Sequence, residues 1–78
     1  MKYSDFYKSL EMAIDTTEDI GGDTVLSDLE SYDSLAILGI IAMTDGSFGK
    51  KLTTEDFAKV TTAFSLIEII GQNYFEED

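Results

Sequence analysis

Ser34 stands at a sharp change of character in the chain. Before it come seven carboxylates, Asp15, Glu18, Asp19, Asp23, Asp28, Glu30 and Asp33, with no Lys among them; after it comes a nearly unbroken apolar run from Leu35 to Met43. A hydroxyl at such a junction has two chemical uses that its position suggests. It can cap a helix by accepting a hydrogen bond from the first free N–H groups, an arrangement worth about 1 kcal/mol. Asp33 can take the same duty if Ser34 is the first helical residue. Alternatively the hydroxyl can act as a nucleophile, but its base would have to be Lys50 or Lys51, and nothing in the spacing brings such a pair together. The chain has no His and no Cys, so the usual general base, the thiolate nucleophile and the commonest metal ligands are missing. A conventional enzyme is not expected. Asp45-Gly46-Ser47-Phe48-Gly49, followed by Thr53 and Asp56, has the outline of a calcium-binding loop. It lacks the ligands, because Lys50 falls where the turn requires Gly, Gly49 where an oxygen ligand belongs and Asp56 where bidentate Glu is favoured.

The balance of charge narrows the partners. Sixteen Asp and Glu against five Lys, with no Arg, give a net charge of −11 over 78 residues. Phosphate backbones and anionic lipid surfaces demand positive charge, so neither is expected to bind; basic protein surfaces are. The length is that of one small domain over residues 1–78, burying only about 60% of its unfolded surface. The Met-Lys-Tyr-Ser-Asp start has no apolar run of the signal-peptide kind, and no segment reaches the roughly 20 apolar residues of a membrane span. A cytoplasmic monomer without membrane insertion is the expectation.

The elements that must position Ser34 read as all-α. Tyr3, Phe6, Tyr7, Leu10, Ala13 and Ile14 recur at threes and fours, which predicts an amphipathic helix over 3–15. From Thr16 to Asp33 the period stops and Gly21-Gly22 interrupts, which predicts a long acidic loop, ordered by Val25, Leu26 and Leu29. The run 34–45 has the length of a second helix, capped by Asp33 or Ser34. Gly46 to Leu52 follows as a loop. Thr53 and Asp56 have capping-box spacing for a short third helix, and Thr61 or Thr62 opens a last helix with Ala63, Leu66, Ile67, Ile70 and Tyr74 on one face. The tail 76–78 is expected to fray. Four helices, one of them short, with a long first connection make up the predicted bundle; the absence of Pro suits it.

That order of elements, with Asp33-Ser34-Leu35 opening the second helix, Phe48 and Leu52 in the next loop and Val60-Thr61-Thr62 before the last helix, resembles the acyl carrier protein family from about residue 3 to residue 70. Size and acidity agree with the resemblance. It implies a four-helix bundle of acyl-carrier-protein type, with Ser34 bearing a covalent 4′-phosphopantetheine derived from coenzyme A. It implies a non-catalytic carrier that holds an acyl or aminoacyl intermediate as a thioester and delivers it between enzymes. The implied partners are a phosphopantetheinyl transferase, an acyl- or aminoacyl-loading ligase and a downstream synthase or transferase. Fatty-acid, polyketide, nonribosomal peptide and cell-envelope systems all use such carriers. Asp33 would help position the transferase. The alternative from another class is an unmodified acidic adaptor that binds a basic protein and in which Ser34 is only a cap.

Two departures from the family pattern carry expectations of their own. Many carriers hold several acids on the exposed face of the second helix, where this chain has Ala36 and Gly39. The family register places Ile37, Ile40, Ile41 and Thr44 inward and leaves Leu35, Leu38 and Ala42 as an outward ridge beside Ser34. Either partners read that ridge together with Asp28, Glu30 and Asp33, or the helix is buried all round and the acidic loop covers Leu35 and Leu38. The positions that line an acyl pocket in the family correspond to Ile37, Ile41, Phe57, Val60 and Leu66. Phe57 and Leu66 are larger than the Ala ordinary there, which favours short or polar cargo because interiors pack without spare volume.

Overall fold

The computed structural model describes residues 1–77. Among them the chain is mostly helical, and its only β-type pairings are two isolated bridges. Helix α1 spans Tyr3–Ile14, and its four-residue spacing of Phe6, Leu10 and Ile14 puts all three in the core. It stops where Asp15 turns into the left-handed region at φ 60°, with the Asp15 N–H on the Met12 carbonyl and the Thr16 N–H on the Glu11 carbonyl. This wrap satisfies the last orphan carbonyls of the helix.

The acidic loop is ordered, and backbone bonds hold it as much as side chains do. Ile20, Leu26 and Leu29 are buried, the middle one in a single 3-10 turn, Leu26–Asp28. Val25, expected to reach the core, is exposed; its backbone instead bridges Thr62. The loop also caps the last helix, since the Gly22 and Thr24 carbonyls accept from the N–H groups of Phe64 and Ala63. At Gly22 the loop also passes close to α1: a Cβ there would lie 2.9 Å from the Tyr7 hydroxyl, which would have to shift.

Helix α2 runs Ser34–Phe48. The loop expected from Gly46 begins only at Gly49, whose φ of 67° ends the helix with its N–H on the Asp45 carbonyl. A helical Gly46 costs about 1 kcal/mol relative to Ala. Phe48 offsets this by packing its ring against Phe6, Tyr74 and Phe75 at 6.2, 5.7 and 5.1 Å. Because Ala36 meets Ala13 and Ile14 across one cleft while Phe48 meets Phe6, α1 and α2 run antiparallel.

The short third helix is a 3-10 helix, Thr54–Lys59, with the Thr53 and Asp56 capping box formed. Helix α3 spans Ala63–Ile70, capped by Thr62 through a box with Ser65. Ala63, Leu66, Ile67 and Ile70 are buried as their spacing requires, whereas Tyr74 leaves that face: α3 ends at Gly71, and Tyr74 falls in a separate 3-10 turn, Gln72–Tyr74. The tail is not frayed at Glu76, which donates its N–H to the Met1 carbonyl and accepts from the Tyr3 N–H. Phe75 stacks on Tyr3 at 5.5 Å and meets the edge of Phe6 at 5.0 Å. Asp78, placed with the fraying tail, lies outside the described residues.

Candidate functional site

The site is built on the N-terminus of α2. Asp33, in extended backbone, turns its carboxylate over the helix end, and Oδ1 accepts from the Ala36 N–H at 2.9 Å. The cap is therefore Asp33 and not Ser34. Ser34 is the first helical residue, is exposed, and among the described residues its hydroxyl has no hydrogen-bond partner. With the Ala36 N–H taken by Asp33 and the Ile37 N–H by the Asp33 carbonyl, the N–H groups of Ser34 and Leu35 are left for an anion on the Ser34 oxygen, which would share the positive helix end with the Asp33 carboxylate. Beside it, burial pushes the Tyr32 phenol up from its usual 10.0, so Tyr32 stays neutral and adds no charge next to Asp33.

Leu35 and Leu38 are 75% and 54% exposed, and Ala42 is exposed with them. The three-and-four spacing places all three on the arc that also holds Ser34. The acidic loop does not cover them. Asp28, at the end of the 3-10 turn, and Glu30 are exposed on either side of buried Leu29. Ala36 and Gly39, which the family pattern puts on the acidic outer face, belong to the packed side instead. Ala36 is buried, and a Cβ on Gly39 would stand 3.2 Å from the Ala13 carbonyl. Acids are missing from those positions because α1 lies against them.

The residues matched to an acyl pocket occupy the other flank of α2. Phe57 and Leu66 are members of the buried core, and Ile37, Ile41 and Val60 pack partly buried against it. The open volume beside Ser34 lies elsewhere, in a cleft of about 270 Å³ lined by Ala13, Ile14, Asp15, Ser31, Asp33, Leu35 and Ala36.

The nucleophile-and-base pairing finds no geometry. Lys51 pairs with Asp45 at 3.6 Å, eleven residues on from Ser34, or about 16 Å at 1.5 Å per residue. Lys50 follows the far end of α2 and is exposed. Sequence reasoning missed Met12, which is 82% exposed on α1 beside α2. The available signal was an apolar side chain lying off the Phe6, Leu10, Ile14 stripe. No protein-family model, curated protein or solved structure matches this chain.

Proposed function

We propose that the chain is an acyl carrier domain whose Ser34 hydroxyl accepts 4′-phosphopantetheine from coenzyme A, through a separate transferase. The observation that carries this reading is the division of labour at the start of α2. Asp33 caps the helix, which leaves the Ser34 oxygen exposed and uncommitted. What favours the group is that a phosphodiester at Ser34 would meet the N–H groups of Ser34 and Leu35, which Asp33 leaves free, with no acidic side chain in the first turn beyond the capping carboxylate. When bound, the arm supplies a terminal thiol that holds acyl or aminoacyl cargo as a thioester, chemistry that a chain without Cys cannot provide.

The protein's own residues do the rest. Asp33 holds the turn, and Asp28, Glu30 and Asp33 offer charge to basic loading and accepting enzymes. Leu35, Leu38 and Ala42 offer apolar contact close to the tether point. Incubation with a promiscuous phosphopantetheinyl transferase and coenzyme A should add one phosphopantetheine by intact mass, and Ser34→Ala should abolish the gain. An unchanged wild-type mass, with a basic protein still bound, would replace the carrier by an unmodified acidic adaptor, a reading that the exposed leucines also allow.

A further inference from the structure

The seam between α1 and α2 carries a surface of which the carrier reading uses only Asp33 and Leu35, at one end. The cleft beside Asp33 is neighboured by a second of about 310 Å³, lined by Ser9, Met12, Ala13, Gly39 and Met43, and Ala13 lines both. On α2 the two clefts are centred some four to six residues apart, or about 6–9 Å along the axis. Gly39 has no side chain to fill the gap, while Met12, a soft and adaptable apolar group, stands at the rim almost fully exposed.

Charge says what can cover this surface. Asp15 and Asp33 line one end, Asp5 is exposed one turn before Ser9 at the other, and no Lys lines either cleft among the described residues. Lys8, one turn before Met12, is paired with Glu11 at 3.6 Å. A second copy of the chain, itself at −11, would set the same carboxylates against these, and that repulsion opposes self-association.

We propose that the α1/α2 seam is a docking groove for a basic amphipathic helix of a partner protein. Two apolar side chains a turn or two apart enter the clefts, and flanking Lys or Arg face Asp15, Asp33 and Asp5. The groove is distinct from the Leu38 and Ala42 ridge and does not depend on modification of Ser34.

The test uses unmodified full-length protein and a synthetic helical peptide with Leu at positions i and i+4 and Lys on both flanks. Amide chemical shifts should change at Ser9, Met12, Ala13, Asp15, Gly39 and Met43. Met12→Ser, neutral and exposed, should weaken binding about tenfold. Asp15→Asn, which keeps a residue tolerant of left-handed backbone, should weaken it severalfold and flatten its salt dependence. Shifts confined to the acidic loop, binding indifferent to Met12→Ser, or no shifts at all would each overturn the proposal. So would a dimer of the protein alone with the seam protected, which would assign the groove to a second copy.

Discussion

Asp33 and Ser34 are adjacent polar residues at one helix end, and either could cap it. What separates them is one residue of register: with the helix starting at Ser34, only Asp33 has the extended backbone that lets a side chain fold back onto the Ala36 N–H. The two positions should therefore respond differently to the same truncation. Asp33→Ala is expected to lower stability by about 1 kcal/mol, while Ser34→Ala changes it by only a few tenths, as read from urea unfolding midpoints. Equal losses would return the capping role to Ser34 and remove the main support for an uncommitted hydroxyl.

At the scale of elements, α2 is the helix whose orientation the apolar pattern could not settle, because nearly every residue from Leu35 to Met43 is apolar. Its exposed arc emerges only once α1 packs on Ala36 and Gly39. Leu38→Asp should then leave the melting temperature nearly unchanged while slowing loading or transfer by partner enzymes. A large drop in melting temperature would mean that the ridge is packed, and unaltered transfer rates would mean that partners do not read it. Helix α1 was readable at once, because Phe6, Leu10 and Ile14 alternate with polar residues at the helical period. The end of α2 was not: Gly46 reads locally as a breaker, and the aromatic packing that carries the helix on to Phe48 comes from Phe6 and Phe75, far away in sequence. The bonds between the acidic loop and α3 escaped for the same reason, since Gly22 and Phe64 reveal nothing of each other locally. Ser34 stands out in the sequence through the order of elements around it, whereas the cleft at Met12 requires two helices set side by side.

Taken as a whole, the molecule places its filled and open volume on different sides. Phe57 and Leu66 sit in the core, at the positions where, on the carrier proposal, a fatty chain would enter. Displacing such side chains costs about 1–3 kcal/mol in strain. Short or polar cargo is therefore expected, and amide shifts of Phe57 and Leu66 should be the same in forms loaded with short and long acyl groups. A long chain found buried beside Phe57 would refute this.

The clasp between the two chain ends has a practical corollary. The Met1 ammonium donates to the Tyr74 carbonyl at 3.0 Å, and the backbones of Lys2 and Glu76 form a parallel bridge. Residues 1–3 and 74–76 thus meet near Phe48, at the pole of α2 opposite its serine, about 20 Å away along the helix axis. Fixed to a bead or a sensor chip by either end, the molecule would be held by its base with the serine pole turned toward the bulk solution, so one immobilised preparation could serve enzymes arriving from that side without the attachment obstructing them.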